Sequence, residues 1–234
     1  MDLMKEFEDN HFDLAIVDPP YGIGIDGRGM PHKAAEVIQK NGSKLTVARN
    51  DYRGKKWDSD RPKGEYFSEL ERVSAHQIIW GANHFGNMRS SPCWIVWDKV
   101  NKGTDQSDCE LAWTNFSTAV RKFSFMWSGM HQGSSDNGAR MEGNKKLNEK
   151  RIHPTQKPVQ LYKWILTNYA KPGQRILDTH MGSGSIAIAC HYFGAHLTAC
   201  EIDEDYFRAA CERIERETRQ LTFLGEGEMG ITSE

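Results

Sequence analysis

The sequence predicts an α/β fold, a mostly parallel sheet with helices on both faces, and three observations carry that expectation. An apolar run, FDLAIV at 12–17, ends abruptly at two prolines. A glycine-rich stretch, THMGSGS, separates the short strand RILD (175–178) from the helical pattern IAIACHYF (186–193). Short apolar runs then alternate with helical periodicities over most of the chain.

FDLAIV is apolar at nearly every position, as a strand buried on both faces must be. It stops at Asp18-Pro19-Pro20-Tyr21 because proline removes the backbone donor and fixes φ. From Gly22 to about Gly64 the pattern is irregular, and only AAEVIQK (34–40) suggests a short helix. EYFSELERVS (65–74) has helical spacing, and QIIWG (77–81) and WIVWD (94–98) read as strands. ELAWTN (110–115) and TAVRKFSFMW (118–127) read as a hairpin, and residues 128–151, rich in Gly, Ser, Asn and Lys, as a second loop. VQLYKWILTNYA (159–170) is helical up to Lys171-Pro172-Gly173. HLTAC (196–200) is a strand, and 203–220 an amphipathic helix with acids in its first turn, where the helix dipole favours them. The length suits a single domain over 1–234, with 22–64 and 128–151 as insertions.

Composition narrows the class. The chain is 38% hydrophobic and 26% charged, ordinary for a soluble globular protein, and no apolar run approaches the ~18 residues of a membrane span. The N-terminal MDLMKEFEDN is acidic and lacks the basic-then-apolar order of a secretion signal. Five scattered cysteines (Cys93, Cys109, Cys190, Cys200, Cys211) form no CxxC pair, which argues against a disulfide framework and a structural zinc. Reduced thiols in the cytoplasm are the economical reading. The net charge of −2 is mildly against strong non-specific nucleic-acid binding. It leaves room for a local basic surface where Arg49, Arg53, Lys55, Lys56, Arg61 and Lys63 crowd, although such a crowd is usually a solvated loop.

Two clusters carry chemistry. Asp178 to Ser185 lies between strand and helix, where glycine lets the backbone approach a ligand at the carboxyl ends of the strands. Glu201 ends the next strand and can accept from ribose hydroxyls. The pair indicates either an adenosine-containing ligand or a plain packing turn. No GK[ST] follows and the third dinucleotide-type glycine is missing, which disfavours a Walker loop and NAD and favours S-adenosylmethionine. In the other cluster, the Pro-Pro step aims the Asp18 carboxylate and the Pro19 carbonyl at one small site. These two acceptors suit the two N–H donors of a base amino group, and Tyr21 offers a face for an extruded base. The alternative is a strand-ending turn with a capping aspartate.

Asp18-Pro19-Pro20-Tyr21 resembles the catalytic motif of amino-methyltransferases acting on DNA, and Asp178 to Ser185 their cofactor motif. His153-Pro154-Thr155-Gln156-Lys157-Pro158 resembles the segment that precedes that motif. The permuted order, catalytic tetrad first, is similar to the beta class of the adenine-N6 and cytosine-N4 enzymes. IIWGANHF (78–85), WIVWDK (94–99) and CELAWTN (109–115) look like strands of its small phage or prophage members. The resemblance implies a Rossmann-like methyltransferase fold and S-adenosyl-L-methionine as cofactor. Asp178, His180, Gly182, Ser183, Gly184 and Glu201 would hold that cofactor, with Asp178 at its methionine end. Thr155, Gln156 and Lys157 would line the same pocket, unless Lys157 is a surface lysine at a helix start. Asp18, Pro19, Pro20 and Tyr21 would be catalytic, and no metal is needed. The implied reaction methylates adenine N6 of double-stranded DNA, with cytosine N4, an inactive cofactor- or DNA-binding relative, and RNA or protein amides as alternatives. Recognition would fall to loops 22–64 and 128–151, with Arg53, Lys55, Lys56 and Trp57 as phosphate or base contacts. The small size suggests a homodimer, common in this class.

Two departures stand out. His180 occupies a place usually held by phenylalanine, which puts cofactor affinity in question. The acidic strand expected before the Asp18 strand is missing, so either the chain begins late or LTFL (221–224) takes that edge. Pro92-Cys93 matches the nucleophile dipeptide of cytosine-C5 enzymes, but Cys93 opens an apolar strand and the motif order differs, so a buried structural cysteine is the reading.

Overall fold

A computed structural model describes residues 2–24, 35–38, 44–47, 57–86, 88–101, 107–128, 131–133 and 148–225. The chain divides into two compact units, one comprising residues 1–19 and 62–234 and the other residues 20–61.

The larger unit is built on a seven-stranded sheet. Its strands are β1 (Phe12–Val17), β4 (Ser74–Trp80), β5 (Trp94–Asp98), β6 (Cys109–Thr114), β7 (Arg121–Ser124), β10 (Arg175–Asp178) and β11 (His196–Ala199). They lie in the order β11-β10-β1-β4-β6-β5-β7, and four of the six pairings are parallel. β1 is central because it is apolar at every position but Asp13, and five of its six residues are buried. Helices α3 (Val159–Tyr169) and α4 (Ser185–Phe193) cover one face, where Leu161, Ile165, Ile186 and Ile188 join Leu14, Ile16, Ile78, Trp80 and Ile176 in one core. On the other face α2 (Gly64–Val73) packs beside β4 and buries Tyr66, Phe67, Leu70 and Val73, one apolar stripe at i, i+1, i+4 and i+7. The short α1 (Asp2–Lys5) is tied to α2, since Arg72 donates to the Met4 and Phe7 carbonyls at 3.1 and 2.9 Å. β9 (His131–Gly133) falls within the stretch expected as a loop, 128–151, and pairs antiparallel with β8 (Met126–Ser128), most of which precedes that stretch.

Several expectations are corrected. β6 and β7 are not a hairpin: β5 lies between them, antiparallel to β6 and parallel to β7. Alternating apolar patterns in neighbouring segments do not specify which strand each will pair with. LTFL (221–224) takes no sheet edge, because it continues the last helix, α5 (Glu204–Gly225).

The smaller unit contains an antiparallel pair, β2 (Ala35–Ile38) and β3 (Lys44–Val47), with Ala35 opposite Val47. Of the short helix expected over 34–40, the described residues 35–38 are instead a strand, in keeping with the β-branched Val37-Ile38 and a partner carrying Thr46 and Val47. In the same unit the buried Asp58 carboxylate accepts the backbone N–H groups of Tyr21, Gly22 and Ile23 at 2.7, 2.9 and 3.3 Å. Arg61 Nε donates to the Tyr21 carbonyl at 3.0 Å. Gly22 has φ +65°, and a Cβ there would meet Arg61 Cγ at 2.6 Å, so only glycine fits this turn.

Candidate active site

Parallel register brings the acidic residues to one end of the sheet. Leu14 pairs with Ile176, and Asp178 with Ala199, so β1, β10 and β11 finish side by side. Asp18 follows β1, Asp178 closes β10, and Glu201 lies just past β11. Connections leave β1 toward β4 and β10 toward β11, in opposite directions, so a topological switch point falls between β1 and β10, where open sheets form ligand crevices.

The glycine-rich turn is shaped by its neighbours. Gly182 N–H donates to Glu201 Oε2 at 2.9 Å, and Asp203 N–H to Glu201 Oε1 at 2.9 Å, which fixes the carboxylate at the strand end. Gly184, at φ +74°, caps α4, and its bare Cα lets Ile214 of α5 approach. Arg213, only 1% exposed, donates to the Ser183 carbonyl and Ser185 Oγ at 3.0 and 2.9 Å and ion-pairs with Glu149 at 2.8 Å. Glu149 also accepts the Val159 N–H at the start of α3. Its carboxyl is pushed up to about 7 by burial, against the opposing pull of Arg213. Beside Glu201, Ile202 is 93% exposed, an apolar side chain standing in solvent next to a carboxylate.

Asp178 is buried and accepts the His180 N–H at 2.9 Å. Burial pushes its carboxyl up to about 8, the His180 N–H opposing and the Asp18 and Glu201 charges adding to the rise. His180 packs edge-on against Tyr66, ring centroids 5.6 Å apart, and its Nδ1 is 2.9 Å from Thr179 Oγ1, which in turn is 2.7 Å from Tyr66 Oη. Burial holds its imidazole down at about 4, so it is neutral at pH 7 and fills an aromatic slot, as a phenylalanine would.

Lys157 is not a surface lysine. Its side chain is 2% exposed, and its ammonium pairs with the Asp18 carboxylate and, at 3.1 Å, with Glu110 Oε2. It also lies 5.2 Å from the centroid of the Trp80 ring. Burial opposes the charge on Lys157, but Asp18 and Glu110 outweigh it and raise its pKa. Burial likewise pushes Glu110 up, yet Lys157 and Lys99 together hold it at about 2. Asp18, Lys157 and Asp178, taken from three distant segments, thus share one electrostatic neighbourhood. The other two members of the 155–157 stretch are placed differently. Gln156 commits its amide to backbone, accepting from Ile152 N–H at 2.9 Å and donating to the Lys150 carbonyl at 3.3 Å. Thr155 Oγ1 is 3.1 Å from Nδ1 of the buried His153, whose ring packs edge-on against Tyr206.

Pro20 and Tyr21 fall in the smaller unit, and Trp57 is half-buried there. Arg53, Lys55 and Lys56 lie outside the described residues. Cys93 is fully buried, with Sγ 3.2 Å from Thr118 Oγ1, the environment of a structural thiol rather than a nucleophile. Among the described residues no cluster of His, Cys, Asp or Glu could hold a metal, and no helix is long and apolar enough to cross a membrane.

Sequence reasoning missed Glu110, Arg213, Tyr66, Ile202 and Asp58. Two left a signal: Glu110 is a carboxylate inside an apolar strand, and Arg213 sits on the buried Tyr206-Ala210 stripe of α5. Asp58 left none.

A family model described as DNA methylase, covering the N6 and N4 methyltransferases, matches residues 84–212. The chain is 22% identical to the type II methyltransferase M.HpaI of Haemophilus parainfluenzae, over 95% of its own length and 74% of that protein's. It is also 22% identical to type II methyltransferase M.HinfI of Haemophilus influenzae, over 90% of its length and 65% of that protein's. Among solved structures it aligns with the M1.HpyAVI–SAM complex at a TM-score of 0.48 and 17% identity, covering 91% of this chain and 94% of that one. It aligns with the cytosine-N4-specific PvuII DNA methyltransferase at 0.49 and 13%, covering 93% and 86%.

Proposed function

Since the chain belongs to the N6/N4 DNA methylase family, whose model spans more than half of it, we propose that it methylates adenine N6 of a base flipped from double-stranded DNA, with S-adenosyl-L-methionine as donor. The observation that carries this reading is the placement of Asp18 beside Asp178 at the sheet's switch point, held by the buried Lys157. The tetrad's tyrosine, following aspartate and two prolines, favours adenine.

The residues at the strand ends fit the donor. Asp178 is a buried acid whose raised proton affinity would be relieved by a ligand ammonium. Glu201, fixed by two backbone donors, retains lone pairs for ribose hydroxyls, and Ile202 offers an apolar face to a purine. When bound, the cofactor supplies a methyl group activated on a sulfonium. Asp18 and the Pro19 carbonyl accept the two N–H bonds of the substrate amine, orienting its lone pair toward that methyl. The Asp18 carboxylate would stabilise the positive charge that the substrate nitrogen takes on as it is methylated. The surplus proton then leaves the nitrogen for solvent. Tyr21 supplies the stacking face for the flipped base. Arg53, Lys55, Lys56 and Trp57 are assigned to DNA contact within the recognition stretch 22–64. These roles require no metal.

Tritiated methyl transfer to unmethylated genomic DNA tests the reading. Wild type is expected to yield labelled N6-methyladenine, and Asp18→Ala to lose at least about a hundredfold in rate. Label in N4-methylcytosine would replace the substrate base. No label from a protein that binds the cofactor would overturn the function.

A further inference from the structure

Asp18 accounts for the lysine beside it but not for the second carboxylate behind that lysine. Glu110 enters from β6, a strand otherwise apolar at Leu111, Ala112 and Trp113. Its Oε2 is 3.1 Å from the Lys157 ammonium, and its Oε1 is 2.5 Å from Lys99 Nζ. The four groups form a chain of alternating sign from Asp18 outward, ending at Lys99, whose side chain is partly open to solvent. Asp178 and the neutral His153 are the other titratable groups that feel Lys157.

Alone, a buried lysine against Asp18 would cancel the charge that the reaction needs, because attraction in a dry site is strong and unscreened. A second carboxylate on the same ammonium divides that attraction. We propose that Glu110 is a positioning residue for methyl transfer: by sharing the Lys157 ammonium, it leaves Asp18 enough negative charge to meet the positive charge growing on the attacked nitrogen. This rests on the reading of Asp18 as the group that holds that nitrogen. Lys157 in this arrangement sets both the direction and the field of the carboxylate, and Glu110 acts only through it.

The test uses the purified full chain with Glu110→Gln and Glu110→Asp. Glu110→Gln is expected to lower kcat for methyl transfer about tenfold or more while KM for DNA and cofactor stays within about twofold. Glu110→Asp restores most of the loss, because the charge returns. The Lys157 titration, followed by 13C NMR at its ε carbon, should move down in Glu110→Gln. A wild-type kcat in Glu110→Gln, or no rescue by aspartate in a variant that melts like wild type, overturns the proposal. If Glu110→Gln does not fold, Glu110→Asp with an unchanged kcat and an unmoved Lys157 titration supports it, and a kcat that falls with the lysine unmoved overturns it. Wild type that transfers no methyl group to DNA overturns the functional reading first. The Lys157 titration then reports on the shared ion pair by itself.

Discussion

Asp178 shows how a single carboxylate can make ligand binding depend on pH. Its proton is held until about pH 8, chiefly because the site is buried. To grip a cationic ligand group it must be ionised, so binding below that pH has to expel the proton first. Affinity for S-adenosylmethionine is therefore expected to rise about tenfold per pH unit between pH 6 and 8 and to level off above. Calorimetry in two buffers of different ionisation enthalpy would register the released proton, and Asp178→Asn should flatten the profile. A wild-type profile flat from 6 to 8 would remove Asp178 from the cation site. A raised acid is protonated in the free protein, and a cation pulls it back toward ionisation.

At the scale of elements, the turn into α4 depends on the absence of a side chain at Gly184. Its φ of +74° is unfavourable to any L residue, and an added Cβ would stand 2.9 Å from Ile214 Cδ1 on α5. Gly184→Ala is expected to cost about 2–4 kcal/mol in urea unfolding. Adding Ile214→Ala should recover part of that cost, since the two sites touch and cannot be additive. This turn was legible in the sequence, as were β1, β10, β11 and the helices around them, because apolar runs punctuated by proline and glycine specify local structure strongly. Pairings between distant segments were not legible. The pattern of 110–127 fits a hairpin as well as the observed arrangement, in which β5 intervenes. Lys157 was open between pocket and surface because its partners, Asp18 and Glu110, lie 139 and 47 positions away, and no spacing rule connects them. His180, which departs from a sequence pattern, packs edge-on against Tyr66 as a neutral imidazole can.

For the molecule as a whole, a net charge of −2 limits how much DNA affinity can come from phosphate contacts. If the basic stretch supplies them, Arg53→Gln, Lys55→Gln and Lys56→Gln together should reduce the slope of log K against log salt by about two to three. A slope unchanged by the triple variant would place the DNA elsewhere. The same stretch lies between two anchored ends. Asp58 clasps Tyr21, Gly22 and Ile23, and Arg61 holds the Tyr21 carbonyl. The clasp is thus encoded outside the stretch between residues 24 and 57. Swapping in a stretch of different length leaves the clasp intact, and doubling that length adds only about 0.6 kcal/mol of closure entropy. If this stretch reads the target site, a change of site can spread through a lineage by its exchange, while the residues proposed to hold the reacting amine stay as they are.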